Sequence, residues 1–265
     1  MGYQLERMTW PDAQQAIRST QAVLFPTGSI EQHGKHLPLG TDYLIAKELA
    51  NRVCANTDRI VVAPTIPVGF AEYHTDFAGT LSLSTETLGR AYLEPCESMM
   101  KYGVKRFVFL NGHGGNRASL TWAIRKLRDQ GIIAASLQWF DICATLNKEW
   151  FIVGHADYLE TSLMMAIAPA SVRTDQFEAP QNKHLSNKLQ VSGIGIASFR
   201  GIEVSMGLRT SDGTNSGLIS ERCPPEGSLA PTLEAASAAL GEQILSAVTD
   251  YIIDFIESLE KVAFK

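Results

Sequence analysis

Three short stretches of the chain concentrate side chains that could do chemistry. The first is Gly28-Ser29-Ile30-Glu31-Gln32-His33-Gly34-Lys35-His36-Leu37-Pro38-Leu39-Gly40-Thr41-Asp42. Glu31 and His33 are two apart, so in extended backbone they project to the same side. Asp42 follows nine residues after His33, just before a helical stretch. Imidazole combined with carboxylates suits zinc or manganese, and iron remains compatible. The second stretch is Asn111-Gly112-His113-Gly114-Gly115-Asn116, whose glycines let backbone approach a ligand while His113 is aimed from a strand end. The third, His155-Ala156-Asp157-Tyr158-Leu159-Glu160-Thr161-Ser162, sets Glu160 close to His155 if the chain turns there. A carboxylate beside a histidine fixes its tautomer and raises its basicity.

Each stretch also has a purely structural reading. Asp42 could cap the helix that follows it. Asp157 and Glu160 form a D-x-x-E pattern close to a capping box. Glu31 and His33 could be ordinary loop residues, His36 is a weaker candidate, and Lys35 reads as a solvated charge. The glycine-rich turn at 111–116 could bind an anion at a helix N-terminus. It lacks both the G-K-[ST] ending and the G-x-G-x-x-G spacing of nucleotide sites. A serine-hydrolase elbow, G-x-S-x-G, is absent, and no cysteine sits in a nucleophile motif.

The elements that must position these residues follow from hydrophobic pattern. Apolar runs at 22–26, 60–63, 106–110 and 132–137 read as buried strands. Helical spacing covers 43–56, 85–102, 116–130 and 157–168, the last stopped by Pro169. The tail at 232–259 repeats apolar residues every three or four positions, with a break expected near Gly241, where helix propensity is weak. Strands alternating with helices predict an α/β fold with a mostly parallel central sheet. In such sheets ligands bind at the carboxyl ends of strands, where the first two stretches fall. The segment 171–227 is rich in Gly, Ser and Asn and reads as long loops and short strands. No repeat or linker divides the chain, so residues 1–265 are expected to form one domain.

Composition narrows the function. The 265 residues are 45% apolar and carry a net charge of −5 without a Lys/Arg block, which argues against a nucleic-acid partner. No apolar run reaches the length of a membrane span, and the N-terminus lacks a signal-peptide core, so a cytoplasmic protein without a membrane partner is expected. Cys54, Cys96, Cys143 and Cys223 form no C-x-x-C pair and read as free thiols.

Taken together, the three stretches resemble the motifs of the creatininase family, G-S-x-E-Q-H-G-x-H-L-P-L-x-T-D, N-G-H-G-G-N and H-A-G-E-x-E-T-S. A weaker F-x-G-T-L-S-L element is seen at 77–83. The resemblance implies a three-layer α/β/α sandwich and a homohexamer. It also implies two divalent metal ions, Zn and/or Mn, with Fe possible by ligand type. Glu31, Asp42 and His113 would hold one ion, and His33 and Asp42 the other, with Asp42 bridging. The implied chemistry is hydrolysis of a cyclic or small amide by a metal-bound hydroxide, as in creatinine to creatine, with His155 protonating the leaving nitrogen. Relatives sharing N-G-H-G-G-N imply alternatives: a formamide hydrolase (deformylase), or a peptidase acting on a modified peptide. A non-catalytic metal-binding module is the alternative from another class.

Two departures from the family pattern bear on the substrate. Gly115 stands where creatinine-cleaving members have a Glu, so one carboxylate ligand is missing. Glu160 could supply it, giving three protein ligands; otherwise Glu160 serves as the catalytic partner that orients His155. In addition, Asp157-Tyr158 replaces the Gly-Glu of H-A-G-E. Trp139 and Trp150 are read as core packing rather than as flap residues. His74 is expected at most to line the pocket, and Arg117 and Arg209 are candidates to meet a phosphorylated substrate.

Overall fold

The computed structural model describes residues 2–150, 154–219 and 233–263. Strands β1 (Tyr3–Gln4), β2 (Ala22–Thr27), β3 (Val61–Val62), β4 (Arg106–Asn111) and β5 (Ile133–Gln138) form one sheet in the order β1-β3-β2-β4-β5. Every pairing in this sheet is parallel. Alternation of side chains across a strand explains its two covered faces. Ala22 and Leu24 of β2 and Val108 and Leu110 of β4 face one core; Val23, Phe25, Phe107 and Phe109 face the other.

Helices α1 (Trp10–Thr20), α3 (Thr85–Met100) and α4 (Arg117–Asp129) cover the second core. Helices α2 (Thr41–Asn56), α5 (Trp139–Leu146), α6 (Tyr158–Ile167) and α8 (Ala238–Leu259) cover the first. The result is a three-layer α/β/α sandwich, as the family resemblance implies, around the parallel sheet that the alternating pattern predicts. Trp139 is fully buried and Trp150 packs against the same core. Among the described residues no helix is long and apolar enough to cross a membrane. Cys54, Cys96 and Cys143 are buried free thiols, while Cys223 lies outside the described residues.

One feature departs from the pattern-based reading, while the segment 171–227 holds the short strands expected of it. Helix α8 is continuous through Gly241, and it begins at Ala238 because Ser237 caps it by accepting from the Leu240 N–H. A Cβ at Gly241 would lie 2.0 Å from the Ser162 carbonyl oxygen. The glycine therefore serves close approach of α8 to α6 rather than a break. The expected start at Thr232 lies outside the described residues. The irregular segment contains a four-stranded antiparallel sheet, β6 (His184–Ser186), β7 (Leu189–Gly193), β8 (Ile196–Phe199) and β9 (Ile202–Ser205), followed by the single turn α7 (Thr210–Gly213).

Candidate metal centre

The site forms where the loops after β2, β3 and β4 leave the sheet at the carboxyl ends of its strands, joined by the first turn of α6. Glu31 and His33 are fully buried, Asp42 is 2% exposed and Glu160 7%. The structure brings these four together with His113, His155 and His74. A cavity of about 300 Å³ opens onto all of them except His33, with Phe70, Tyr73 and Phe140 among its walls.

Asp42 does not cap α2. The N-cap is Gly40, without a side-chain bond, and the Asp42 carboxylate turns inward instead. Its Oδ1 lies 3.2 Å from His33 Nε2 and its Oδ2 3.0 Å from His113 Nδ1. Asp157 is the residue that caps, accepting from the Leu159 and Glu160 N–H groups at the start of α6. Glu160 does not close a capping box. Its Oε2 accepts from the Ala156 N–H at 2.7 Å and lies 3.9 Å from His33 Nε2. Ala156 adopts a left-handed φ of 57°, which turns that N–H back toward α6.

Backbone carbonyls set the direction of three imidazoles. His33 Nδ1 lies 3.0 Å from the Glu31 carbonyl, His113 Nε2 2.7 Å from the Phe70 carbonyl, and His155 Nε2 2.5 Å from the Gln32 carbonyl. A carbonyl oxygen only accepts, so each of these nitrogens carries a hydrogen. The other nitrogen of each ring then turns a lone pair toward the carboxylates. This is the arrangement in which outer hydrogen bonds fix the tautomer of metal-ligating histidines.

The carboxylates face those lone pairs without donors of their own. Among the described residues, Glu31 Oε1 and Oε2 and Asp42 Oδ2 accept no hydrogen bond. Buried carboxylates of this kind are stabilised by a bound cation or by protonation. With protons as the only cations, burial works against a charged His33, but the adjacent Asp42 carboxylate overrides it and raises the ring to about 10. His113 is likewise raised to about 9 against its burial, by Glu31 and Asp42. Asp42, despite burial, is held far below the usual carboxylate range by His33 and His113. Burial pushes Glu31 up to about 7 and Glu160 up to about 8, with His113 and His33 respectively opposing. His155 is pushed well below its ordinary value by burial and by the neighbouring His33 and His74.

Divalent ions fit this donor set. Oxygen and nitrogen atoms from Glu31, Asp42 and His113 lie within 4.8 Å of one another, as do those from His33, Asp42 and Glu160, and from Glu31, His33 and His155. The first two sets share Asp42. Gly115 contributes nothing, and a Cβ there would meet the Phe70 carbonyl oxygen at 2.3 Å and His113 Nε2 at 2.5 Å. A glutamate at 115 therefore has no room in this backbone, and Glu160 occupies the side of Asp42 facing His33.

Other residues singled out in the sequence fall outside the cluster. His36 Nε2 lies 3.2 Å from Thr161 Oγ1 and its ring meets Phe177 edge-on. Lys35 pairs with Glu178 at the surface. Arg209 is held by Asp76 at 2.6 Å. Arg117 does line the cavity, paired with Asp141 and lying over the Phe140 ring. Sequence reasoning understated His74, which is 2% exposed, stacks on His155 at 4.6 Å and sets Nε2 3.4 Å from Glu31 Oε1. The signal was its place just before the F-x-G-T-L-S-L element in the loop after β3. Phe70, Tyr73 and Ile194 of the cavity wall carried no motif.

The buried carboxylate–histidine cluster sits at the carboxyl edge of a three-layer α/β/α sandwich, and its residues could hold divalent cations. The sequence profile described as creatinine amidohydrolase matches residues 6–256, and the chain belongs to the creatininase family. It is 36% identical over 170 residues to the mycofactocin precursor peptide peptidase of Mycobacterium tuberculosis, covering 61% of this chain and 64% of that relative's length. The peptidase of that name from Mycolicibacterium smegmatis is 37% identical over 188 residues, covering 68% of this chain and 72% of the relative. Creatinine amidohydrolase of Pseudomonas putida is 28% identical over 191 residues, covering 64% and 73%. In fold, the chain matches a mutant creatininase complexed with creatine at a TM-score of 0.75 and 22% identity, over 99% of this chain and 100% of the other. A Zn–Zn form of a mutant creatininase matches at 0.74 and 23% identity, over 97% and 98% of the two chains.

Proposed function

We propose that the protein is a divalent-metal amidohydrolase that cleaves a C–N bond of a peptide-like amide. The observation that carries this is the set of carbonyl-pinned histidines turned onto carboxylates that lack donors. Glu31, Asp42 and His113 would hold one ion, His33, Asp42 and Glu160 a second, with Asp42 shared. Zn or Mn suits these ligands, and Fe is compatible with them. Bound there, such ions supply Lewis acidity toward the amide carbonyl and lower the pKa of water toward neutrality.

The chain's own residues do the rest. His155 carries its hydrogen on Nε2, toward Gln32, so Nδ1 is bare and faces the cluster, 3.9 Å from Glu31 Oε1. In this reading Nδ1 takes a proton from the attacking water and returns it to the leaving nitrogen, which leaves poorly as an anion. Burial, with the neighbouring His33 and His74, disfavours protonated His155, which favours the second transfer. Glu160, held by the Ala156 N–H, serves the cation side rather than His155. Phe70, Tyr73 and Phe140 offer apolar walls to a substrate larger than a bare amide.

The peptide-like substrate is supported by the 36–37% identity to peptide peptidases and by Gly115. A second reading, opening of a small cyclic amide such as creatinine, is supported by the 28% identity to the Pseudomonas enzyme. A symmetric homo-oligomer belongs to this proposal, on the family resemblance. The test is a Zn- or Mn-loaded assay on precursor-type peptides, formamides and creatinine, with chelator controls. Peptide cleavage that chelation abolishes is the expected result. Full metal loading with no turnover of any amide would overturn the enzymatic reading in favour of a binding module.

A further inference from the structure

His74 enters the cluster with the opposite hydrogen pattern to its neighbours. Its Nδ1 lies 3.0 Å from Gln32 Nε2 and 2.8 Å from Thr210 Oγ1. A hydroxyl can donate or accept, so Thr210 decides nothing. The Gln32 amide does, because both its ends are fixed by backbone. Its oxygen accepts from the Gly34 N–H at 3.0 Å, and its nitrogen donates to the Gly217 carbonyl at 2.8 Å. Flipping the amide would set a donor against the Gly34 N–H and an acceptor against the Gly217 carbonyl. The amide nitrogen therefore faces His74, and its second hydrogen needs an acceptor, which only an unprotonated Nδ1 provides. The ring hydrogen then sits on Nε2, 3.4 Å from Glu31 Oε1.

Gly217 completes the device. Its φ of 83° and its closeness to Gln32, where a Cβ would lie 2.1 Å from Oε1, bring the loop carbonyl onto the amide. Stacking on His155, with centroids 4.6 Å apart and planes at 18°, holds the His74 ring in that orientation.

We propose that His74 is a positioning residue whose Nε2–H, imposed by the Gln32 amide, faces Glu31 Oε1 and orients that carboxylate within the cluster. Glu31 Oε2 lies 3.2 Å from His113 Nε2. The backbone carbonyls leave one nitrogen each of His33, His113 and His155 open to an ion once unprotonated, whereas the Gln32 amide leaves His74 a donor. This inference rests on the metal reading above for its purpose, but not for the tautomer itself.

The test begins with ¹⁵N imidazole NMR on the full chain, metal-free and loaded with diamagnetic zinc. His74 is expected as Nε2–H with a bare Nδ1 in the metal-free chain, and unchanged with zinc. Nδ1–H or a doubly protonated ring overturns the assignment. In Gln32→Glu a carboxylate oxygen replaces the N–H facing Nδ1, so the hydrogen should appear on Nδ1. A spectrum still showing a bare Nδ1 means that Gln32 does not set the tautomer. His74→Phe keeps the stacking ring and removes the donor. Zinc affinity is expected to fall about 10–100-fold, the usual effect of losing a partner of a metal ligand. Wild-type zinc affinity in His74→Phe overturns the positioning role. Failure of wild-type protein to bind zinc would sink the metal reading, while the NMR result would still decide the tautomer.

Discussion

Glu31 and His33, in the loop after β2, are fully buried, whereas Ile202 on β9 is 68% exposed and Phe199, Val204 and Met206 beside it are each exposed by at least 39%. The first region hangs from two central parallel strands whose six-residue register is unbroken. The second is an antiparallel sheet with irregular register between β6 and β7 and between β7 and β8. Burial in the first region converts every polar atom into a constraint, because an unpartnered buried group costs about 1–3 kcal/mol and more when charged. Exposure in the second leaves single side chains with little to decide. The cluster should therefore respond steeply to substitution, and the second sheet weakly.

The steepest response is expected for Asp42→Ala. Both candidate ion sites share this residue, so metal content and activity should both vanish. Removing one partner from a buried charged set also costs about 3–5 kcal/mol, so metal-free protein should lose that much in urea unfolding. Retention of two tightly bound ions would contradict the shared role. His155→Gln should cut kcat by about 10²–10⁴-fold, the range for a lost acid–base group, with metal content unchanged by elemental analysis. Gly241→Ala tests the support behind Glu160. Forcing α8 off the Ser162 carbonyl should cost about 1–3 kcal/mol in thermal or urea unfolding.

The pH response follows from the raised histidines. Below about 9, His33 and His113 both hold protons where an ion would bind. Metal uptake therefore expels protons, and apparent zinc affinity should fall as pH is lowered, by up to about tenfold per unit for each proton displaced. Competition titrations with a chromogenic chelator check this, and a pH-independent affinity would contradict it. At the far end of the comparison, Ile202→Ser should shift stability by no more than about 0.5 kcal/mol and leave zinc affinity unchanged.

The same contrast explains what could be read from sequence. Glu31, His33, Asp42 and His113 sit in loops directly after apolar runs, so strand pattern and residue type together pointed to one edge of a parallel sheet. The role of Asp42 was ambiguous locally, since a carboxylate before a helix reads as a cap until the fold turns it inward. Gly241 read as a helix break because close packing against Ser162 is invisible in a one-dimensional pattern. His74 was understated because its hydrogen-bond direction depends on Gln32 and Gly217, 185 residues apart in the chain. The β6–β9 sheet lacked a clean alternation because every residue of β6 and β9 is exposed, so neither strand shows a buried face at period two.

The central claim is a cluster that holds two divalent ions, and metal content per chain tests it most directly. Elemental mass spectrometry would be run on protein purified without chelator or metal-affinity tag. The account predicts about two equivalents of Zn, Mn or Fe, as a two-metal hydrolase requires. Essentially none, even after soaking with Zn and Mn, would contradict it.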